Sequence, residues 1–547
     1  MKHRNKDKTT PPDLMGHDMG VGPIRKQRPE YVDLLPPCNH ACPAGENIQA
    51  WLALAQGGKF EEAWQVIMQD NPMPAVMGRV CYHPCEDGCN RTFIDSPVSI
   101  HAIERFLGDE AIKHNWKVKY DKNLEGKRVL IVGAGPSGLS AAYHLTRMGH
   151  TVEIHEAGPV AGGMMHFGIP AYRLPRNVLD QEIARITEMG IKIVLNHKVE
   201  NVLSEKKKGD FDAIFIAVGA HLSKKIDIPG NDAGKILDAI TYLKQVEQGE
   251  KPKIGRRVAV YGGGNTAMDV ARTAKRMGAS EAMIIYRRDK EHMAAHEFEA
   301  EEALEEGVKI NWLRTIKTME EGTFTVEVMR LEDGKPIPTG QFETLEADTL
   351  ILAVGQDTDT SFLKNIPGIE FSDDGTVIVN SDMMTGHEGI FAGGDMVPSE
   401  RSVTVAIGHG KKAARYIDGF LRKTPYHKPP KHPIVGHELL QLWYKTNAPQ
   451  KEQAMLAAEK RVGGFDEIKG GLSEDEALFE SQRCLSCGNC FECDGCYGAC
   501  PEDAIIKLGP GNGYEYDFDR CTGCAICYEQ CPCHAIEMIP EPKNTKQ

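Results

Sequence analysis

Eight cysteines toward the C-terminal end repeat one pattern twice: Cys490-x-x-Cys493-x-x-Cys496-x-x-x-Cys500-Pro501, then Cys521-x-x-Cys524-x-x-Cys527-x-x-x-Cys531-Pro532. Thiolates at this spacing, closed by Cys-Pro, hold two four-iron, four-sulfur clusters in which each fourth cysteine serves the other cluster. The pattern predicts Cys490, Cys493, Cys496 and Cys531 on one cluster, and Cys521, Cys524, Cys527 and Cys500 on its twin. Zinc needs four ligands and no such duplicated run. Eleven of the sixteen cysteines lie between Cys484 and Cys533. Three of these, Cys484, Cys487 and Cys533, stand outside the repeat, and Cys533 reads as a spare core thiol.

A second group sits near the other end, as Cys38-x-x-x-Cys42-Pro43 and Cys81-x-x-x-Cys85-x-x-x-Cys89. The chain between them (Ile48, Trp51, Leu52, Leu54, then Phe60, Ala63, Trp64, Ile67, Met68) has helical periodicity, so a small helical domain would have to bring the thiolates together. Five thiolates are too few for two clusters and one too many for one.

Between the cysteine groups the chemistry changes to phosphate binding. VLIVG leads into Gly133-x-Gly135-x-x-Gly138 and a helix, with Glu156 closing the next strand. Glycines there allow a tight turn and close approach to a pyrophosphate at a helix N-terminus, and the acid can bond a ribose hydroxyl. A second such unit has Gly262, Gly263 and Gly264 followed by Asn265 and Thr266, and its second strand ends in Tyr286-Arg287-Arg288 instead of an acid. Guanidinium groups there suit a 2′-phosphate, which favours NADPH over NADH.

The elements that must position these residues fit a chain of 547 residues, long enough for three to four domains. The N-terminus lacks the apolar core of a signal peptide and no stretch has eighteen consecutive apolar residues, so a cytoplasmic protein with no membrane association is expected. Cysteines spaced as metal ligands agree with a reducing compartment. A net charge of -14 argues against nucleic acid as a partner. The basic residues Arg25, Lys26 and Arg28 read as a solvated or partner-contacting tail. KTPYHKPPKHP, from 423, reads as a linker, followed by helical patterns in LLQLWYK and EQAMLAAEKR. No catalytic triad or nucleophile elbow is visible.

CNHACP (38–43), NPMPAVMGRVCYHPCEDGCN (71–90) and PVSIHAIERF (97–106) resemble the small subunit of glutamate synthase and its relatives, which include the N-terminal part of dihydropyrimidine dehydrogenase and the large subunit of NADPH-ferredoxin transhydrogenases. The resemblance covers roughly residues 36–422. It implies FAD in the first dinucleotide site and NADPH or NADH in the second, with a cluster near the flavin on Cys42, Cys81, Cys85 and Glu104. AGGMMHFGIPAYRLP (161–175) resembles the flavin-contacting stretch, implicating Gly163, Met164, Gly168 and Arg173. GIFAGGDMVPSERSVTVAIGHG (389–410) supplies Gly394 and Asp395, the latter implied to bind the ribityl chain, then a helix whose first turn holds Thr404 and Ala406. Its N-terminus would favour the reduced, anionic flavin.

The family's second N-terminal cluster takes two cysteines from an Arg-Cys-Leu-x-Cys motif upstream of the Cys38 equivalent. Here that segment reads RKQRPEYVDLLPP (25–37), and the matching run, ESQRCLSC (480–487), lies at the other end. We expect Cys38, Cys89, Cys484 and Cys487 to share a cluster, within one chain or across a dimer, giving four clusters in all. Disulfide reductases of this fold place a Cys-x-x-Cys beside the flavin, but no cysteine lies between Cys89 and Cys484.

The expected architecture is multidomain α/β: an arm (1–30), a helical iron-sulfur domain (31–125), a discontinuous Rossmann-like FAD domain (126–240 and 345–424), a nicotinamide domain (241–344), a linker with a helical segment (425–483), and a ferredoxin-like two-cluster α+β domain (484–547). The expected function is an electron-transferring flavoprotein subunit moving electrons between NAD(P)H, FAD and the clusters. Its partner would be a larger oxidoreductase subunit, such as a 2-oxoacid or sulfite-reductase-type enzyme, or a soluble ferredoxin-like acceptor, in a hetero-oligomer that could have a homodimeric core. The alternatives are a true glutamate synthase small subunit, from which the ferredoxin extension departs, a stand-alone NAD(P)H:ferredoxin oxidoreductase, and a non-catalytic scaffold, against which the intact glycines and ligand sets argue.

Overall fold

The computed structural model describes residues 25–122, 124–224, 226, 228–229, 236–320 and 322–542. Most of the arm expected over 1–30 lies outside the described residues.

The first domain is built from short helices, several begun by a proline: Pro37–Ala41, Pro74–Val80 and Pro84–Asp87. Proline suits the first helical position because its fixed φ is already helical and its missing N–H would go unused. Trp51 and Trp64 are fully buried between the helices Ile48–Gln56, Phe60–Ile67 and Ile100–Lys113. Helices Pro74–Val80 and Ile100–Lys113 cross at two glycines. A Cβ on Gly78 would lie 2.4 Å from Arg105 N, and one on Gly108 2.3 Å from Ala75 N. Only glycine permits that approach, and it brings Cys81, at the end of one helix, toward Glu104 on the other.

Two parallel five-stranded sheets follow. The first has the order Ile390–Ala392, Ala213–Ile216, Arg128–Val132, Thr151–His155, Lys192–Val194. Its strands are largely buried, as a parallel sheet covered on both faces requires. One apolar core runs without a break from this sheet into the N-terminal helices.

The second sheet has the order Lys309–Trp312, Glu281–Tyr286, Arg257–Tyr261, Thr349–Leu352, Ile236–Asp238. Domain limits at 240 and 345 therefore cut this sheet. Ile236–Asp238 and Thr349–Leu352 belong to the nicotinamide domain, because Thr349–Leu352, buried at every position, pairs on both sides. An antiparallel ribbon, Arg314–Glu320, Thr323–Glu332 and Lys335–Glu346, is inserted before that strand.

Of the two helical patterns expected after the linker, LLQLWYK follows a 3-10 turn, His437–Leu439, and EQAMLAAEKR forms only its last turn, Ala458–Arg461; the longer helix of this segment, Glu474–Gln482, lies beyond both, and extended chain between them drapes over the first domain. The strap's backbone finds tertiary partners instead of a helical ladder: Arg91 donates to Thr446 O (2.9 Å), Ala448 N to Asp95 (2.9 Å), Arg483 to Ala448 O (3.0 Å) and Lys451 N to Glu480 (2.9 Å).

The basic segment is no free tail either. Gln27–Tyr31 is a strand paired antiparallel with Ile536–Pro540 at the far end of the chain. Arg25 is nearly buried, ion-paired with Glu541 at 2.6 Å, and donates to the carbonyls of Phe518 (2.6 Å) and Cys521 (2.9 Å). Among the described residues no helix is long and apolar enough to cross a membrane.

Candidate redox centres

Strand Arg128–Val132 runs into Gly133, whose φ of +105° and 2.5 Å clearance from Ala217 O exclude a side chain. A Cβ on Gly138 would lie 2.0 Å from Gly133 O, so helix Pro136–Arg147 starts hard against the sheet. Around Gly135, by contrast, a Cβ would meet nothing within 4 Å. The Ser137 hydroxyl is buried in this turn with no hydrogen-bond partner among the described residues. An open glycine cradle, an orphaned hydroxyl and a helix N-terminus fit a dinucleotide pyrophosphate. The Glu156 carboxylate accepts from Ala134 N and Gly158 N, both at 2.7 Å, which holds the acid beside the turn. Gly163 (φ +55°) closes over it, 3.0 Å from Gly135 Cα to its notional Cβ, and Met164 and Gly168 bound the short helix Met164–Phe167.

Asp395 lies on the 3-10 turn Gly394–Met396, where a Cβ on Gly394 would be 3.1 Å from Ser137 Cβ. Burial raises its carboxyl to about 6, and it has no hydrogen-bond donor among the described residues. A desolvated acceptor beside the pyrophosphate turn fits the hydroxyls of a ribityl chain. Ser402 caps the twenty-residue helix Val403–Arg422, accepting from Val405 N at 3.2 Å. Thr404 and Ala406 are buried in its first turn. Thr404 Oγ1 donates to Cys81 Sγ at 3.1 Å, so the flavin-side helix touches a candidate cluster ligand.

Cys42, Cys81 and Cys85 face one another. Burial, and then the Glu104 carboxylate, push the Cys81 thiol up to about 12. Cys42 is raised by burial, Glu46, Cys81 and Glu104, and Cys85 by burial, Glu86, Cys81 and Cys42. Glu104 is buried and itself raised by burial and by Glu46. Buried thiols and carboxyls that oppose each other's ionisation fit a site whose ligands become anionic on a cation, as cluster iron would provide. The sequence reading missed Glu46 and Asn71. Asn71 Nδ2 bridges Glu46 (3.1 Å) and Glu104 (2.7 Å), orienting the proposed ligand. Glu46 follows Cys42 by four residues, a carboxylate that the cysteine count alone overlooks.

The chain's two ends meet at a second set. Cys38 is raised by burial and then by Cys484, Cys89 and Cys487; burial and its neighbours push Cys484 up to about 11 and Cys487 up to about 12. All four thiols belong to the same chain. Arg483 fastens the junction, donating to Ser96 O (2.6 Å), Pro97 O (2.8 Å) and Asp95 (2.9 Å), while Ser99 N donates to Glu480 (2.8 Å) and Gln56 to Ser486 Oγ (3.1 Å).

The C-terminal module holds two cavities. One is lined by Cys490, Cys493, Cys496, Cys531 and also Cys533. Its twin is lined by Cys521, Cys524, Cys527 and Cys500. The fourth cysteine of each run thus turns into the other run's cavity. Tyr31, from the N-terminal strand, reaches Cys496 Sγ at 3.5 Å and stacks on Tyr516, ring centroids 4.7 Å apart.

In the nicotinamide domain, Gly262 and Gly263 abut Ala353 O and the Tyr286 ring, while Gly264, before Asn265 and Thr266, opens onto free space. Arg287 is exposed, Arg288 Nε is buried without a partner, and neither guanidinium has an ion-pair partner among the described residues. This fits a phosphate on the adenosine ribose. Arg173 is engaged elsewhere: it pairs with Asp269 at 2.8 Å and Glu299 at 2.5 Å, both on the nicotinamide domain. It thereby ties the expected flavin-contacting stretch to the nicotinamide domain. Tyr82, another residue that sequence reasoning missed, joins the iron-sulfur domain to the nicotinamide domain. Its hydroxyl accepts from Asn265 Nδ2 at 2.6 Å and its ring stacks on His296, centroids 3.8 Å apart.

Residues 117–410 match the family described as pyridine nucleotide-disulphide oxidoreductase, residues 34–116 dihydropyrimidine dehydrogenase domain II with its 4Fe-4S cluster, and residues 514–537 a 4Fe-4S binding domain. The chain is 34% identical to the beta subunit of NADP(+)-dependent formate dehydrogenase from Moorella thermoacetica, covering 87% of this chain and 74% of the relative. It is 33% identical to the beta subunit of NADPH-Fe(3+) oxidoreductase from Geobacter sulfurreducens, covering 82% and 75%. Against the NADPH glutamate synthase small chain of Escherichia coli it is 34% identical, covering 71% and 89%.

Proposed function

The chain belongs to the pyridine nucleotide-disulphide oxidoreductase family, as an FAD and iron-sulfur NAD(P)H oxidoreductase, and from that premise we propose that it carries electrons between NADPH and a partner subunit through four clusters. The observation that carries this reading is the meeting of Cys38 and Cys89 with Cys484 and Cys487 in one chain. It sets thiols of the N-terminal domain beside thiols that lead directly in sequence into the ferredoxin-like module.

Bound in these sites, FAD would accept a hydride and release electrons singly, and the clusters would pass them on. The protein's own groups supply position and field. Gly135 lies open beside the turn where the buried Ser137 hydroxyl is left without a partner, and Asp395 offers an acceptor to the ribityl hydroxyls. The N-terminus of helix Val403–Arg422 brings partial positive charge toward the flavin ring. Arg288 is placed to read the 2′-phosphate of NADPH. With no cysteine between Cys89 and Cys484, no thiol pair stands beside the flavin to take the hydride's electrons as a disulfide reductase does. Cys81, bonded to Thr404, is the adjoining exit.

The second half-reaction belongs to the partner. Coverage extends further over this chain for the formate dehydrogenase and NADPH-Fe(3+) oxidoreductase beta subunits than for the glutamate synthase small chain. That supports a partner of the kind these beta subunits accompany in place of a glutamate synthase large subunit. Anaerobic purification of the tagged chain from its native host, with mass spectrometry and NADPH-dependent dye reduction, tests the proposal. A co-purifying oxidoreductase subunit is expected. Recovery of a free chain that reduces soluble ferredoxin from NADPH as fast as it reduces dye would overturn it.

A further inference from the structure

The C-terminal module is a duplication, and its halves superpose in chemistry. Ala504 N donates to Cys500 Sγ at 3.3 Å, and Ala535 N donates to Cys531 Sγ at 3.3 Å. Cys500-Pro501-Glu502-Asp503-Ala504-Ile505 aligns with Cys531-Pro532-Cys533-His534-Ala535-Ile536. Asp503 and His534 both take the left-handed conformation, with φ of 46° and 57°. Two turns built alike present one fourth ligand each, so Cys531 is the ligand, and Cys533 and His534 are where its half departs from Glu502 and Asp503 of the other.

Cys533 is 2% exposed and lines the same cavity as Cys490, Cys493, Cys496 and Cys531. Its Sγ lies 3.8 Å from Cys531 Sγ, and its carbonyl accepts from Gly488 N at 2.6 Å, which pins it next to Cys487. Five thiols thus face a site that needs four. At the matching place in the other half stands Glu502, which offers no thiol.

We propose that Cys533 is a positioning residue that donates an S–H···S hydrogen bond to the Cys531 thiolate and so raises the reduction potential of that cluster above that of its twin. Reduction adds negative charge to the cluster and its thiolates, and a donor on a ligand sulfur stabilises the reduced form more than the oxidised one. The spare thiol of the sequence reading thus has a task. It makes the cluster next to Cys487 the better electron acceptor of the pair and leaves its twin as the stronger reductant. This inference rests on the cluster assignment proposed above.

The test is a redox titration, followed by electron paramagnetic resonance, of the full chain carrying Cys533→Ala or Cys533→Ser. The alanine variant is expected to keep its iron-to-flavin ratio and to shift one cluster to a more negative midpoint, leaving the others in place. The serine variant, which retains a donor, should lie closer to the unmodified protein. Unchanged midpoints in both variants would overturn the proposal. So would loss of one cluster's iron from both variants, which would make Cys533 a ligand. If the unmodified protein lacks the two module signals altogether, the cluster assignment fails and this role with it.

Discussion

Thr404 Oγ1 donates to Cys81 Sγ at 3.1 Å. One residue stands in the first turn of the helix aimed at the flavin site, and the other caps a helix of the iron-sulfur domain, so a single hydrogen bond spans the flavin-to-cluster boundary. A donor to a ligand sulfur raises the cluster's potential. Thr404→Val keeps the shape and removes the donor. A bond worth about 1 kcal/mol corresponds to a one-electron shift of ~40 mV. We expect the flavin-proximal cluster to become more negative by that order while FAD content is unchanged. Anaerobic titration reads the shift, and rapid mixing with NADPH should show slower reduction of the clusters after the flavin has been reduced.

Cys484 and Cys487 lie beside Cys38 and Cys89, where we propose that the four share a cluster. Replacing both by serine should lower the iron content from about sixteen to about twelve per flavin, since each cluster holds four irons. NADPH-dependent dye reduction at the flavin should persist, while reduction of the C-terminal module from NADPH should fall by at least an order of magnitude because the connection is broken. An unchanged iron count would refute the shared site.

How far the sequence could be read depended on whether a position owes its role to spacing or to tertiary contact. The crossed ligand sets and glycine turns are local patterns, and Cys-x-x-Cys runs or strand-glycine-helix units imply their geometry wherever they occur. Gln27–Tyr31 carries no such pattern. Its strand exists because Ile536–Pro540, more than five hundred residues away, offers an edge, and Pro29 is tolerated there. The strap failed to become helix for the same reason, its backbone being held by Arg91, Asp95, Arg483 and Glu480. Arg173 sits in a flavin-contacting motif, yet Asp269 and Glu299, remote in sequence, claim its charge.

Arg288 has a buried Nε without a partner and a guanidinium without an acid among the described residues. If it reads the 2′-phosphate, Arg288→Ala removes one charge-assisted hydrogen bond, worth about 1.5–3 kcal/mol, or roughly a tenfold to hundredfold rise in KM for NADPH. KM for NADH should change less than threefold and kcat should hold. Steady-state dye reduction with each nucleotide decides the matter, and an equal loss with both would refute the assignment.

Asp395 makes the flavin-free protein sensitive to pH. Burial raises its carboxyl from an ordinary value near 3.8 to about 6. Between those values the folded apoprotein binds a proton that the unfolded chain has lost. The stability tied to that proton is therefore complete below about pH 4 and is lost as pH rises through about 6. Thermal melts of deflavinated protein should show the decline, of about 2 kcal/mol once residual solvent contact is allowed for. Asp395→Asn should flatten it and raise apoprotein stability at neutral pH. FAD should reverse the order, because ribityl hydroxyls would supply the donors that the buried carboxylate lacks, so the flavin-loaded parent should gain more stability than the flavin-loaded variant. A pH slope that survives the substitution would place the titrating group elsewhere.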